Sequence, residues 1–595
     1  MPRPLSAIAA GLLAVAVAGC GSAPSNSGGG GTGSGGGGTG GSGGGGTPPV
    51  TYTCSVPAAS NPAGGGGTAA QLPISSAAYG TGPNSVWTAV AFSQNGTGDP
   101  ADPEILSLDP DLVPRAIGKW DIYGILASDY NDAYPAVAEA EGVTFIGGTT
   151  ATVLFADEPN FSQVVSCDAT GNPAPNPLDP GSYRAALAAP AYQQYLIMIG
   201  ELQIDAGADG IFFDEVNASY EGANYDGDAG FDDADIADFG GFLCAKYPAL
   251  TAAQWSSQYG IASADNLNCT LPAATRGRGF LYRQYLARNG WTANPLTSAN
   301  PLAVEWGTIQ PYSWPTSQNS FVQTYPTLVY WQNVVTALRA YARQKYNKEI
   351  YITSNGPYPF ADFQSVGLWD GNQDGPNQTP VEWIPTTASG AYDGTVSWQA
   401  TLQAILARNQ PNGSSNVPVV LFIDWPDSVM STYYSFSLPD RQNYIRMLVA
   451  EAYSNGLYFA LPVKTSISTD PTATQLGMMP LFQQLTTFLK SHASLYHSAV
   501  PLTGAVTASA PNLMTNLVTL PNGSTVLHVV NHNYAGNFLP QNNVQVTFPV
   551  AQQPATVTLV SPDASGDVTI AFTWSGGQLQ ATIPQLVAYT AVVAK

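Results

Sequence analysis

Between Val86 and Pro462, eight short runs rich in β-branched and aromatic residues recur, most of them separated by helical stretches, and few folds accommodate that rhythm. The runs are Val86 to Phe92, Ala116 to Ile122, part of Val143 to Phe155, Gly210 to Asp214, Ile350 to Ser354, Val366 to Asp370, Val419 to Asp424 and Leu457 to Leu461. Many are apolar on both faces, as strands of a covered parallel sheet must be. Helical patterns precede the fourth run (Ala188 to Asp205), the fifth (Tyr325 to Tyr346), the seventh (Trp398 to Arg408) and the eighth (Arg441 to Tyr453). The sixth run is only weakly separated from the fifth. Eight strands close a (β/α)8 TIM barrel, so the class is α/β and the barrel is expected over residues 81–495. A long insertion, 217–326, follows the fourth run and holds helical patterns near Ala234 to Tyr247 and Phe280 to Arg288.

After a last helix around Gln475 to Leu489 the pattern changes to alternation with turn signals. Thr525 to Val530, Val544 to Phe548, Ala555 to Val560, Val568 to Trp574 and Leu579 to Ile583 read as antiparallel strands. They predict a C-terminal antiparallel β-sandwich over 496–595 that packs on the barrel.

The amino terminus addresses compartment. Arg3 precedes an apolar stretch from Leu5 to Val17, too short to span a membrane, and Val17-Ala18-Gly19-Cys20 follows. This resembles the signal peptide and lipobox of bacterial lipoproteins, over residues 1–20. The resemblance implies that Cys20 is acylated and that the protein is exported and lipid-anchored at the outer membrane or cell surface. From Gly28 to Gly46 there is only Gly, Ser and Thr, so residues 21–80 read as a tether. Cys54, Cys167, Cys244 and Cys269 remain, an even number in an exported chain, and two disulfides are expected. Cys244 and Cys269, both in the insertion, are the expected pair. The net charge of −22, with no run of Lys or Arg, excludes nucleic acid as a partner.

Chemistry concentrates at the ends of the runs. Gly210-Ile211-Phe212-Phe213-Asp214-Glu215 is an apolar strand that stops at two adjacent carboxylates. By alternation Phe212 and Asp214 share one face, and Ile211, Phe213 and Glu215 the other. The third run closes near Asp157-Glu158, the sixth with Trp369-Asp370 and the seventh with Ile423-Asp424-Trp425. Carboxylates converging from several strands beside aromatic rings suit an oxocarbenium-like transition state, where one acid donates a proton and another faces the anomeric carbon. Trp and Tyr rings present apolar faces to sugar C–H groups. Trp87, Trp120, Trp306, Trp314, Trp369, Trp383, Trp425 and Tyr458 are the candidate rings, and Trp87, Asp157, Asn355, Trp369, Trp425 and Tyr458 are the expected substrate-binding residues.

The stretch from Leu178 to Leu243, with Gly207-Ala208-Asp209-Gly210-Ile211-Phe212-Phe213-Asp214-Glu215 and then Gly230-Phe231, resembles bacterial TIM-barrel glycoside hydrolases. Ile350-Tyr351-Ile352-Thr353-Ser354-Asn355-Gly356 and the segment from Ala450 to Ala460 fit the same group. The likeness extends, more distantly, to the dextranase and α-galactosidase types, in which an Asp ending the fourth strand is the nucleophile. It therefore implies Asp214 in that role. The fifth run ends in Asn355 where those relatives place an acid, so Asp370 is the nearest match for the acid/base, with Asp424 or Glu215 in reserve.

Other chemistries are less well supported. All four histidines, His492, His497, His528 and His532, follow the last barrel run, which argues against a Ser-His-Asp triad at the barrel mouth. Asn224, Asp226, Asp228, Asp232 and Asp235 approach EF-hand spacing, but Ala229 replaces the turn Gly and Asp235 the bidentate Glu, so no cofactor is expected and calcium is only the alternative. Helix capping by Asp232 or Asp233 beside a solvated loop is the preferred reading. The function is then either hydrolysis of a poly- or oligosaccharide or, on the same scaffold, non-catalytic carbohydrate binding at the cell surface.

Overall fold

The computed structural model describes residues 87–90, 115–118, 144–150 and most of 153–214, 229–309, 326–354, 362–368, 419–423, 433–462, 471–496, 499–533 and 538–595. Eight parallel strands close a barrel in chain order: β1 (Trp87–Val90), β2 (Arg115–Gly118), β3 (Thr144–Thr150), β4 (Gly210–Asp214), β5 (Tyr351–Ser354), β6 (Phe363–Leu368), β7 (Val419–Ile423) and β8 (Tyr458–Pro462). Closure comes from β8 returning to β1, with Trp87 opposite Ala460. The helices around it include α1 (Pro190–Ala206), and each is held by its apolar side. α1 has proline in its first turn and ends at Gly207, whose φ of 113° is the left-handed cap that glycine accepts.

Strand β4 shows how the layers divide. Ile211 and Phe213 pack outward with Tyr192, Leu196 and Ile199 of α1 and with Trp331 and Val334 of α6 (Pro326–Tyr346); the rings of Phe213 and Trp331 are 5.0 Å apart. Phe212 takes the other face and joins Ile146, Tyr351 and Phe459. Gly210 is required by proximity, because a Cβ there would sit 2.5 Å from the Cβ of Tyr351 on the neighbouring strand.

The insertion after β4 has its own core. Helices α2 (Asp233–Lys246), α3 (Ala252–Tyr259), α4 (Tyr282–Arg288) and α5 (Ala303–Ile309) enclose Phe231, Phe239, Tyr282 and Trp306. Trp306 is fully buried and stacks on Phe231 with centroids 4.8 Å apart, so it is a core residue here and not a sugar contact. Cys244 and Cys269 form the expected disulfide, Cα atoms 5.1 Å apart, and Cys167 is also disulfide-bonded. A bridge across 25 residues restricts the unfolded chain. Cys244→Ser with Cys269→Ser should therefore cost about 3 kcal/mol in denaturant titration.

Two further helices, α7 (Leu438–Ser454) and α8 (Met479–Ser491), carry the C-terminal sandwich. Its strands are β9 (Val500–Pro501), β10 (Thr507–Ala508), β11 (Leu513–Thr519), β12 (Thr525–Asn531), β13 (Gln541–Pro549), β14 (Val557–Val560), β15 (Val568–Thr569), β16 (Phe572–Ser575), β17 (Gln578–Leu586) and β18 (Tyr589–Ala594). A six-stranded sheet, β9-β11-β12-β18-β14-β15, lies between the barrel helices and a four-stranded sheet, β10-β13-β17-β16. Leu527, Val529 and Val592 face the four-stranded sheet, while Val526, Val530, Ala591 and Val593 pack with Tyr444 and Leu448 of α7 and Leu481 and Leu485 of α8.

The single strand expected over Val568 to Trp574 is in fact two, one in each sheet. The chain crosses between the sheets at Ile570, whose N–H bonds to the Val557 carbonyl at 2.9 Å. Strands β9, β10, β11 and β18 were not anticipated. The last is buried along its whole length and so lacks alternation.

Polar links cross from helices to sheet. His532 Nε2 meets Glu451 of α7 with both side chains buried, and the Arg446 Nε is 3.2 Å from Asp563. His528 lies between the rings of Tyr496 and Tyr589, its Nδ1 2.7 Å from the Tyr589 hydroxyl, and burial pushes its pKa down to about 4.

Candidate active site

Asp214 closes β4 at the carboxyl end, the end where barrel enzymes build their sites. It stands opposite Thr150 of β3, while Phe213 stands opposite Ser354 of β5. Its backbone position follows Phe212, a residue of the barrel interior, by one pleat repeat. Glu215, Asp370, Asp424, Asp157, Asn355, Trp369, Trp425, Asp226 and Asp228 lie outside the described residues, as do Cys20, Trp120, Trp314 and Trp383.

Two expected sugar-binding residues are placed elsewhere. Trp87 and Tyr458 are the first residues of β1 and β8, at the amino end of the barrel and away from Asp214. Tyr458 is also 2% exposed and meets Tyr453 of α7 edge-on at 5.8 Å, so it packs strand against helix. Both residues already stood near the amino ends of the runs read from the sequence.

Beside the unplaced Asp157, Glu158 is buried and accepts a hydrogen bond from the Tyr195 hydroxyl of α1 at 3.0 Å. The third barrel strand ends at Thr150, before the acids expected to close it, and Glu158 is tied instead to the helix layer.

Of the residues raised for calcium, Asp232 and Asp235 are described. Asp232 is the N-cap of α2: one oxygen accepts from the Asp235 N–H at 3.0 Å and the other from the Ser166 hydroxyl at 3.3 Å. Asp232 and Asp235 are both buried, and among the described residues no group of three or more acidic, His or Cys side chains is placed to hold a metal. The near-EF-hand spacing includes a helix start, where a carboxylate satisfies free N–H groups.

One acid went unnoticed in the sequence. Asp238 follows Asp232 and Asp235 at the same three-residue interval, the helical signature of a shared face, and all three are buried. Asp238 accepts a hydrogen bond from the Tyr330 hydroxyl of α6. Burial, then the nearby charge of Asp232, pushes its pKa up to about 7 despite that hydrogen bond. The folded pKa lies above the unfolded one, so the folded state holds the proton longer, and stability falls as pH rises from about 4 to about 7. Asp238→Asn cannot ionise. Its stability relative to wild type should rise by about 2 to 4 kcal/mol between pH 4 and pH 8, measured by urea unfolding.

No protein-family model and no curated protein sequence matches the chain. Solved structures share its fold. A Paenibacillus sp. cycloisomaltooligosaccharide glucanotransferase, complexed with cycloisomaltoheptaose, is similar at 8% identity and a TM-score of 0.50, over 86% of this chain and 85% of that one. A maltogenic α-amylase from Thermotoga neapolitana aligns at 10% identity and a TM-score of 0.46, over 86% and 98%. An α-amylase from H. orenii aligns at 11% and 0.42, over 86% and 97%. The likeness to the glucanotransferase is one of fold.

Proposed function

We propose that the chain is a glycoside hydrolase cleaving O-glycosidic bonds of a poly- or oligosaccharide, with Asp214 as the carboxylate facing the anomeric carbon. The observation that carries this reading is the backbone position of Asp214, at the carboxyl end of β4 in a closed barrel and one pleat repeat past Phe212. The fold shared with a glucanotransferase complexed with a cyclic oligosaccharide supports it. Asp370 is the leading proton donor, with Asp424 and Glu215 in reserve. Asp157, Asn355, Trp369 and Trp425 complete the proposed cleft. A donor at Asp370 gains from the apolar Trp369 beside it in sequence, since an apolar neighbour and a nearby anion both hold a proton on a carboxyl group. Retention of configuration is the favoured outcome, which calls for a separation of about 5 to 5.5 Å between nucleophile and acid/base, against about 6.5 to 9.5 Å for inversion.

The test is reducing-sugar release by the purified protein from a panel of α- and β-linked glucans. Turnover of at least one is expected, and folded protein inert on the whole panel would overturn the reading.

The proposed setting is the outer membrane or cell surface, with Cys20 acylated and residues 21–80 as the tether. Cells fed radiolabelled fatty acid should label the wild-type protein and leave Cys20→Ser unlabelled; equal labelling would remove the anchor from the proposal.

A further inference from the structure

The last hundred residues, 496–595, contain only three Asp, Glu, Lys or Arg residues, Asp563, Asp567 and Lys595, in a chain of net charge −22. Both acids are engaged with the barrel side: Asp563 with Arg446, and Asp567 with His492 at 3.1 Å. The layer beyond, the four-stranded sheet, turns Val544, Val546, Phe548, Leu579, Ala581 and Ile583 inward.

Its other face is a regular array of neutral polar groups. Thr507, Thr547, Gln580 and Thr573 form one row across all four strands, because Thr507 pairs with Thr547, Thr547 with Gln580 and Gln580 with Thr573. Gln545 opposite Thr582, and Gln578 opposite Ser575, make rows on either side. Thr547 and Thr582 are half-buried and the others are exposed. Among the described residues none of these side chains makes a hydrogen bond within the chain.

We infer that this face docks the protein onto a neutral polysaccharide presented as a surface, an inference that rests on the proposed glycoside-hydrolase reading and names where such a substrate would be held. An ordinary soluble surface is about 25 to 35% charged, and a face that contacts phosphate, sulfate or carboxylate polymers would carry Lys or Arg. A protein partner of ordinary composition would be met by aromatic or apolar anchors, and here Phe572 and Trp574 pack toward the core of the sandwich. Hydroxyls and amides on strands about 4.8 Å apart present both donors and acceptors without any ion to desolvate. That complements a dense array of sugar hydroxyls, which also bears no charge. Repetition adds to the match, since rows of like groups on neighbouring strands can meet the repeating hydroxyls of many packed chains at once.

Full-length protein should be depleted from solution by granular starch or microcrystalline cellulose, and 0.5 M NaCl should leave that adsorption unchanged. Gln580→Glu, and separately Gln545→Glu with Gln578→Glu, place a charge on the face and should weaken adsorption by about tenfold or more with unchanged thermal unfolding. Gln580→Ala, which adds no charge, serves as the milder variant should a glutamate disturb folding, and it should weaken adsorption less. Hydrolysis of a soluble oligosaccharide by the glutamate variants should stay at the wild-type rate, and Asp214→Asn should adsorb as the wild type does. Adsorption to neither particle, or equal adsorption by every face variant, would overturn the inference while leaving hydrolysis untouched. Salt-sensitive binding to an anionic polymer alone, or a concentration-dependent dimer dissolved by the glutamates without adsorption, would overturn it as well. Absence of hydrolysis with adsorption intact would count against the enzymatic reading alone.

Discussion

Asp214→Asn is expected to lower kcat by about 10³-fold or more on any glycoside that the wild type cleaves, with KM changed only a few-fold. The carboxylate would act on charge that develops only in the transition state, so its loss should appear in kcat and hardly in ground-state binding. Asparagine keeps the size and hydrogen-bonding reach of the side chain, and β4 is secured by Ile211, Phe212 and Phe213, so folding should be preserved. Undiminished turnover by a folded Asp214→Asn protein would reject the assignment. A parallel collapse of kcat in Asp370→Asn, with Asp424→Asn near wild type, would fix the proton donor.

The second large effect belongs to the barrel wall. Arg339 on α6 gives one guanidinium nitrogen to both oxygens of Asp362, at 2.9 and 2.8 Å, and Asp362 is fully buried just before β6. The same carboxylate accepts the Ile352 N–H at 2.7 Å, and the Asp362 N–H returns to the Ile352 carbonyl at 2.7 Å. Arg339→Met removes the cation and strands a buried anion, which should cost about 3 to 5 kcal/mol by urea titration. Pairing it with Asp362→Asn should recover part of that loss, because the remaining group is then neutral. A loss under about 1 kcal/mol would mean that water reaches the carboxylate and screens it.

Asp362 also explains why β6 was the hardest strand to read. Only eight residues, 355–362, separate Ser354 from Phe363, whereas parallel neighbours are usually joined by a dozen or more. The run anticipated at Val366 to Asp370 begins three residues earlier in the fold, at Phe363, since Gln364 and Ser365 join the ladder opposite Val419 and Val420. Their polarity hid them. By contrast Gly210 to Asp214 was legible to the residue, because an unbroken apolar segment ending in acid has few other interpretations.

The site was legible only as types of residue at strand ends. Strand parity is local, and the alternation of Phe212 against Ile211 and Phe213 could be read. Trp87 and Tyr458 stood near the amino ends of their runs already in the sequence, and they were chosen for residue type although a parallel barrel builds its site at the other end. At α2 the preferred reading holds, since Asp232 caps the helix, whereas the buried position of Asp238 gave no signal in a string of acids.

The fully buried strands β12 and β18 bear on how this protein can be divided. One side of each is the floor of the sandwich and the other is the ceiling over α7 and α8, so neither body owns the surface between them. Cutting the chain near residue 495 would uncover Tyr444, Leu448, Leu481 and Leu485 on one fragment and Val526, Val530, Ala591 and Val593 on the other. Each fragment would face water with a core half. The C-terminal hundred residues are consequently poor material for modular exchange: a substitute sandwich would have to reproduce that apolar relief before it could be grafted, and heat should melt barrel helices and sandwich as one cooperative block.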